Sequence, residues 1–544
     1  MKIVSILAVT TIGVVCLFGT GTAAEQPPKV LPAVVEDANQ VVPLDLQVLV
    51  RKVVERNTSV ITDYLQSEMA RANVEMEKGI YEPIFHTSAN WYTEEYPNTT
   101  EDVLIRQEED YSEDAFMADA GVKGLLSSGA SWDLTFIDKK RTSSTIEKFR
   151  NYRYEYGNSV KLSLEQPLLR GFGKTVTNAR IDLARIDSEI EKKKFDQKLM
   201  ELIGATIRQY WLLYGTQEIH RTWKQSLQIA ESFLEDVERR AREGKIPETD
   251  LMEARCSIGL RRAEVYNAEN RLIEAQSQLM TLLYVSSSGC MRVQLAADQT
   301  GVDRRSIVDP VEYVQMALDN WPEYLIAKKR IERENIGVLY AENQLLPQID
   351  LAGNAALNGL DKDRDPALDE TFDANYVSWF IGVNVQLPVF GNRSAKSDLL
   401  IARMRARQAA VELDGLKTGI GNAITDRVER VNRFDGQVDE YEKVWDFRQK
   451  LLEVERTKLR YGRISLNELL EKEEDCVDYQ RQLLNSIVNF KLAEAELDIA
   501  IGKILTKYGI TPEEIKEWTS GRPESASCEN LKQWFDGVDA DRQL

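Results

Sequence analysis

The sequence is poor in histidine and in catalytic motifs, and these shortages exclude several classes of function. Only two histidines occur, His86 and His220, and they lie in different segments. Neither a histidine metal cluster nor a Ser-His-Asp triad is therefore expected. No P-loop, GxSxG, CxxC or HExxH motif is present, so we expect no enzyme, no catalytic residues and no cofactor. The formal net charge of −19 argues against nucleic acid as a partner, because the phosphate backbone requires a basic surface.

Cysteine is also scarce. Four of the five cysteines lie beyond the amino-terminal apolar run, at Cys256, Cys290, Cys476 and Cys528. Four cysteines are too few for the disulfide framework of a small secreted domain. A Cys290–Cys528 bridge is left open, because each of these residues follows a predicted helical block.

Long apolar runs are missing except at the amino terminus. Lys2, the apolar stretch Ile3 to Phe18 and the small residues GTGTAA predict a signal peptide over residues 1–24. Cys16 lies inside the run, at a poor site for lipid attachment, so we expect an unlipidated exported protein. No other stretch approaches the roughly 20 apolar residues of a transmembrane helix, so any membrane insertion has to use strands.

Proline is absent from two very long stretches, one after Pro167 and one after Pro388. Residues Lys174 to Glu243 carry apolar residues at helical spacing and predict a helix on the order of 100 Å long. The other predicted helices run over Leu44–Gly79, Thr249–Leu283, Pro310–Gln344, Ala395–Tyr461 and Leu466–Lys507.

The order of these elements occurs twice, in residues 44–285 and 310–508. Each copy has a helix, alternating strands, a proline and a long helical hairpin that turns at a glycine, Gly244 or Gly462. The strand region of the first copy is about 43 residues longer, so we predict a duplication with one insertion. The insertion forms either a projecting hairpin or additional barrel strands. Residues 25–43 read as a proline-rich lead-in, 286–309 as a linker and 509–544 as a tail.

The strand regions alternate between apolar and polar residues. From Val377 to Leu387 every second residue is apolar, and Val160, Leu162 and Leu164 alternate with polar neighbours in the same way. About ten alternating residues with aromatics are typical of a transmembrane β-strand. An ordinary half-buried sheet is the alternative, which the signal peptide, the duplication and the long helices make less favourable.

Two strand-to-helix joints, QPLLRGFG and LPVFGN, and two turns, AREGKIPETDL and LRYGRISLNELL, complete the pattern. In this order the elements resemble the TolC family of outer-membrane efflux proteins over roughly Leu44 to Tyr508. The resemblance implies a mainly α fold with a membrane β-barrel. In it, duplicated repeats of strands and long helical hairpins form a trimeric β-barrel and an α-helical periplasmic barrel. Each protomer of the homotrimer is expected to give four strands.

The resemblance also implies a function and partners. We expect an outer-membrane exit duct of a tripartite efflux or type I secretion system, extending into the periplasm and passively conducting substrates from an inner-membrane pump. Its expected partners are outer-membrane lipid, a periplasmic adaptor protein and the pump. The residues expected to contact the adaptor at the hairpin tips are Gly244, Lys245, Ile246, Asp250, Gly462, Arg463 and Ser465. The joints are expected at Pro167, Gly171, Gly173, Pro388 and Gly391.

Acidic residues near the second turn are candidates for a pore gate. By resemblance Glu468 and Glu471 occupy the positions that ring the closed pore, where three copies would favour cations. The alternative is that they are ordinary first-turn helix carboxylates, and for Asp250 we prefer this alternative. Ile464 departs from the family pattern, which has a basic residue there.

Two acidic segments and two rival functions complete the predictions. Asp361–Glu370 spaces its acids as a calcium loop does, but Pro366 and Phe372 stand where that loop needs glycine and glutamate. We therefore predict an acidic loop between strands, and likewise for Glu94–Asp114.

The rival functions are a secreted coiled-coil scaffold, which needs no lipid-length strands, and a pump adaptor, which should carry one hairpin rather than two.

Overall fold

The computed structural model describes residues 40–244, 247–285, 293–297, 310–389, 391–461, 463–519 and residue 534. The predicted signal peptide, most of the proline-rich lead-in, most of the linker and the Cys290–Cys528 pair lie outside these described residues. The carboxy-terminal tail is described only to residue 519 and at residue 534.

The described residues contain two similar series of helices and strands. The first series consists of β1 (Gln40–Leu44), α1 (Leu46–Arg56), α2 (Thr58–Lys78), β2 (Ile84–Pro97), α3 (Thr100–Arg106), β3 (Asp110–Leu125), β4 (Ser131–Ser143), α4 (Ser144–Phe149), β5 (Glu155–Pro167), α5 (Lys174–Thr177), α6 (Ala179–Arg242), α7 (Glu248–Leu282) and β6 (Val293–Ala297). The second consists of α8 (Pro310–Asn320), α9 (Pro322–Gln344), β7 (Gln348–Asp361), α10 (Arg364–Phe372), β8 (Tyr376–Gln386), α11 (Arg393–Arg460), α12 (Leu466–Ala500), α13 (Ile504–Lys507) and α14 (Pro512–Thr519).

Two long helices, α6 and α11, run the length of the helical part and are separated by α9 and α12. Helix α6 has 64 residues and α11 has 68, so at 1.5 Å per residue each is about 100 Å long. The returning helices α7 and α12 pack along one half of them, and α2 and α9 pack along the other half. Four helices therefore lie side by side at each level of the long helical part.

Three of the predicted helices are broken. The helix predicted over Leu44–Gly79 stops at Asn57, whose side chain accepts a hydrogen bond from the Ser59 N–H at 2.9 Å and starts α2. The helix predicted over Pro310–Gln344 divides before Pro322, which lacks the N–H that a continuous helix needs. The last predicted helix divides at Gly502, which has a φ of 71°. The first two breaks occupy equivalent places, one in each repeat.

The largest apolar core lies around the middle of α6. There β1, α1 and the ends of α7 and α12 surround the long helix, and β1 pairs in parallel with β6. Its fully buried members include Leu44, Leu49, Ile203, Ile207, Leu213, Leu279 and Leu295.

The large sheet has six antiparallel strands in the order β2-β3-β4-β5-β7-β8. The first repeat contributes four of them and the second contributes two. The sheet of the protomer therefore has two strands more than the expected four, and the insertion in the first repeat forms these additional strands. Sequence alternation alone did not distinguish these strands from a projecting hairpin.

The sheet has one apolar and one polar face, as the alternation predicts. Residues directly opposite one another share a face, so a row can be followed across all six strands. One such row is apolar: Trp379, Ala355, Leu162, Leu134, Val122 and Phe85. The adjacent row on the other face is Ser378, Ala356, Lys161, Thr135, Gly121 and His86.

The two acidic segments are not simple loops. Each contains a short helix: α3 lies in the segment Glu94–Asp114, and α10 begins in the segment Asp361–Glu370. At the segment Asp361–Glu370, the Glu370 carboxylate accepts a hydrogen bond from the Leu360 N–H at 2.8 Å. The Asp361 carboxylate accepts one from the Asp363 N–H at 3.0 Å. These carboxylates cap the ends of neighbouring elements. Among the described residues, no helix combines the length and apolarity that crossing a bilayer requires.

Candidate channel tips and gate

The joint between β5 and α6 depends on two glycines. Strand β5 ends at Pro167, and Gly171 and Gly173 then have φ values of 86° and 95°, which side chains rarely allow. The Leu168 N–H donates to the Ile349 carbonyl oxygen at 2.7 Å, and the Gly171 N–H donates to Asn343 Oδ1 at 2.8 Å. The chain bend is therefore fixed to the junction in the second repeat where α9 meets β7.

The second joint, between β8 and α11, is shorter but has the same order of residues, a proline followed by a glycine with a positive φ. Strand β8 ends at Gln386, Pro388 follows two residues later, and Gly391 has a φ of 94°. Asn392, with a φ of 44°, then starts α11. The prolines and glycines predicted for both joints thus lie where a strand ends and a long helix begins.

Both hairpin turns lie at the same end of the helices. Gly244 has a φ of 70° beyond the end of α6, and Asp250 lies in the first turn of α7. At the second turn the Arg463 N–H donates to the Lys458 carbonyl oxygen at 3.0 Å, and Ser465 caps α12. Three of the predicted tip residues, Lys245, Ile246 and Gly462, lie outside the described residues. Contact of these turns with an adaptor stays a prediction.

Glu468 has a local structural role in the first turn of α12, where the alternative of a first-turn helix carboxylate placed it. The Ser465 hydroxyl accepts a hydrogen bond from the Glu468 N–H at 3.2 Å, and the Glu468 carboxylate accepts one from the Ser465 N–H at 2.9 Å. This reciprocal pair is a capping box, which satisfies two donors at the start of α12. Glu471 lies one turn further on, and both carboxylates are exposed in the protomer. The arrangement keeps both side chains available at the tip.

A buried charged cluster lies just behind the tips, and sequence reasoning missed it. Arg261 of α7 and Glu473 of α12 are 4% and 5% exposed at the side chain, and their closest charged atoms are 3.9 Å apart. Arg456 of α11 approaches the same carboxylate at 3.8 Å. The Arg261 guanidinium also donates to the Leu470 carbonyl oxygen and the Ser226 hydroxyl, both at 3.1 Å. The cluster therefore joins both hairpins.

Arg261 and Glu473 differ in their hydrogen bonding. Arg261 has hydrogen-bond acceptors on three helices, including Ser257 on its own, whereas neither Glu473 oxygen has a hydrogen-bond partner. Burial raises the pKa of Glu473, and the two arginines offset this only in part. A signal for the cluster was present in the sequence, because Arg261 continues the apolar spacing of Ile258 and Val265.

Glu473→Gln is expected to remove a pH dependence of stability. Since folding raises the pKa of this carboxyl, the stability it contributes is present below the unfolded pKa and is lost as pH rises through the folded pKa. The variant should therefore be as stable as the parent or more stable at neutral pH, and lose this advantage in acid. Thermal midpoints from about pH 4 to about pH 8 measure this. Glu474→Gln, on the exposed face of α12, is the control, and parallel profiles for all three proteins would contradict the prediction.

Comparison with known proteins agrees with the architecture. Residues 137–283 match the model of the family described as "Outer membrane efflux protein". No curated protein sequence matches the chain.

Solved structures of outer-membrane channels share the fold over most of the chain. CusC is 15% identical over 88% of this chain and 98% of its own, with a TM-score of 0.59. The Campylobacter jejuni CmeC outer membrane channel is 15% identical over 87% of this chain and 89% of its own, also at 0.59. The outer-membrane channel OprN is 15% identical over 84% of this chain and 90% of its own, with a TM-score of 0.61. Such low identity establishes the fold alone. Residues 137–283 thus match the outer membrane efflux protein family, and the chain has the TolC-like fold of the solved outer-membrane channels.

Proposed function

We propose that the chain is the outer-membrane exit duct of a tripartite efflux or type I secretion system and acts as a homotrimer. The observation that carries the proposal is a sheet with one apolar and one polar face whose edge strands, β2 and β8, are unpaired in the protomer. In lipid an unpaired strand edge is costly, because no water satisfies its backbone groups. Copies of the chain joined edge to edge would close the sheet, with the apolar face toward lipid and the polar face around a lumen.

The helical part suits a conduit through the periplasm. Helices of about 100 Å continue from the strand ends and finish at the two hairpin turns. These turns are the surfaces we assign to a periplasmic adaptor, and an inner-membrane pump would supply the energy. The proposed organisation consists of two repeats, residues 44–285 and 310–508, each with strands above a helical hairpin. Passive conduction requires no enzymatic step, in keeping with a family and fold of channels.

Membrane fractionation tests the proposal against the rival of a secreted scaffold. We expect the protein in the outer-membrane fraction, and in detergent as a trimer by light scattering. Crosslinking in cells should recover an adaptor at cysteines placed at Asp250 or Arg463. Recovery only as a soluble periplasmic species would overturn the channel function.

We further propose that Glu468 and Glu471 form a cation-selective constriction at the tips. Both carboxylates are exposed on one face of α12, and three copies around a narrow axis would concentrate negative charge there.

The Glu468→Gln/Glu471→Gln double variant is expected to lose cation selectivity and block by multivalent cations in single-channel recordings. Glutamine keeps the capping box, so the start of α12 should be preserved. Asp250→Asn, which removes a first-turn carboxylate from the other hairpin, is the matched control. Unchanged selectivity and unchanged block in the double variant would remove these residues from the gate.

A further inference from the structure

Strands β3 and β4 differ from the other four strands of the sheet. Strands β2, β5, β7 and β8 each connect directly to a helix at the tunnel side, whereas β3 and β4 are joined there by the turn at residues 126–130. The Leu126 N–H donates to the Ala130 carbonyl oxygen at 2.7 Å and closes this turn. These two strands therefore widen the sheet without adding a helix to the wall.

The turn at residues 126–130 packs against the first joint, between β5 and α6. The Gly173 N–H donates to the Ser128 carbonyl oxygen at 2.9 Å, and the Ser128 hydroxyl donates to Gln166 Oε1 at 2.8 Å. Gly129 has a φ of 90°, and a Cβ at this position would overlap the Gly171 carbonyl oxygen. The extra residues of QPLLRGFG, compared with LPVFGN, thus form the surface on which this turn rests. A hairpin projecting from the barrel would not make these contacts.

The widths of sheet and helical wall can be compared. Strands spaced about 4.8 Å apart and tilted by about 40° cover roughly 6 Å of perimeter each, so six cover roughly 38 Å and four only about 25 Å. Four helices at 8–10 Å spacing cover roughly 32–40 Å. Six strands therefore match the width of the four helices in one protomer.

We propose that all six strands of each protomer enter the barrel, so that the trimer closes with 18 strands and a membrane exit as wide as its tunnel. This inference rests on the proposed trimeric channel. The backbone diameter becomes roughly 36 Å instead of roughly 24 Å for twelve strands. Barrels of 16–18 strands enclose an aqueous channel. Selection by size is then left to the tips, and the barrel accepts bulky cargo.

The partner at the open edge is a second copy of the chain. Strand β8 runs from the outside toward the tunnel and β2 runs the opposite way, so β8 of one protomer is antiparallel to β2 of the next. Both edges present large exposed side chains, among them Trp379 at 74% and Trp91 at 77% exposure. If β3 and β4 instead stood outside the barrel, β2 would pair with β5 and would still meet β8 of the next protomer, so the contact between β2 and β8 does not by itself count the strands.

Disulfide crosslinking in membranes distinguishes the two arrangements. One cysteine at Val383 of β8 is combined with single cysteines along β2, at Phe85, Thr87 or Ala89, after each native cysteine is replaced by alanine. A second set joins β2 to β5 within one protomer, with a cysteine at Phe85 combined with one at Val160, Leu162 or Leu164. In the six-stranded sheet two strands separate β2 from β5, a distance of about 14 Å that a disulfide cannot span. We expect covalent oligomers, with trimer as the largest species, in the first set and no crosslinks in the second. A single-channel conductance at least twofold above that of a variant lacking residues 100–150 should accompany them.

Each other result overturns the inference in a recognisable way. Crosslinks between β2 and β5 in the second set would leave the trimeric channel in place and exclude the 18-strand barrel. Absence of crosslinks from both sets, with monomeric protein in detergent, would overturn the proposed trimer and the inference with it. If the shortened variant fails to reach the membrane, the crosslinks alone decide.

Discussion

Arg261→Met is expected to lower the free energy of unfolding of the periplasmic end by about 3–5 kcal/mol, the cost typical of breaking a buried ion pair. The substitution leaves the Glu473 carboxylate with Arg456 alone, and deprives the Leu470 carbonyl oxygen and the Ser226 hydroxyl of their donor. Methionine has a similar length, so the change removes charge and hydrogen bonds more than volume. Urea unfolding of the detergent-solubilised protein, followed by helical circular dichroism, measures the loss.

The adjacent arginine provides a matched control. Arg262 pairs with Glu231 at 2.7 Å, but both side chains are about half exposed. An exposed ion pair contributes about 1 kcal/mol or less, so Arg262→Met should have little effect. Equal losses from the two substitutions would show that burial of Arg261 does not stabilise the hairpins.

Replacing both buried partners tests the electrostatic origin of the effect. In Arg261→Met/Glu473→Leu neither buried charge remains, and apolar replacements of buried pairs are often neutral or stabilising. We therefore expect the double variant to recover most of the stability that Arg261→Met loses. A loss as large as that of the single variant would indicate that the hydrogen bonds to Leu470 and Ser226 dominate.

The parts of the fold that the sequence predicts have strong local signals. Pro167 and Pro388 mark the strand ends because proline cannot continue a strand ladder, and Gly171 and Gly173 adopt backbone angles that favour glycine. The long helices are predicted because proline is absent over many turns. In each case one residue type determines the backbone.

The parts that were not predicted depend on contacts distant in sequence. The apolar face of β3 is built largely from Ala118 and Ala120, which give a weak strand signal. Whether such strands join the sheet depends on the docking of Ser128 on the first joint. Arg261 and Glu473 were missed for another reason: charged residues in a long helix are usually solvated, and burial here arises only when the two hairpins pack together.

Ile381→Arg is expected to destabilise the barrel by about 2–4 kcal/mol per protomer, the cost of a cationic side chain on the lipid face near the bilayer midplane. Ile381 is the central residue of β8, is 64% exposed in the protomer and lies on the apolar face beside Gly353. The matched control is Asn354→Arg on the polar face of the neighbouring strand β7, because Asn354 is opposite Phe380 and therefore lies within one residue of the depth of Ile381. There the guanidinium would reach lumen water, so stability should change by no more than about 0.5 kcal/mol. Urea unfolding in lipid vesicles, with the yield of membrane-inserted protein as a second readout, measures both variants. Because the introduced residue is the same and the two positions lie at nearly the same depth, the difference between them reports which face contacts lipid. Equal losses would contradict the assignment of the apolar face to lipid, whereas a larger loss for Asn354→Arg would reverse it.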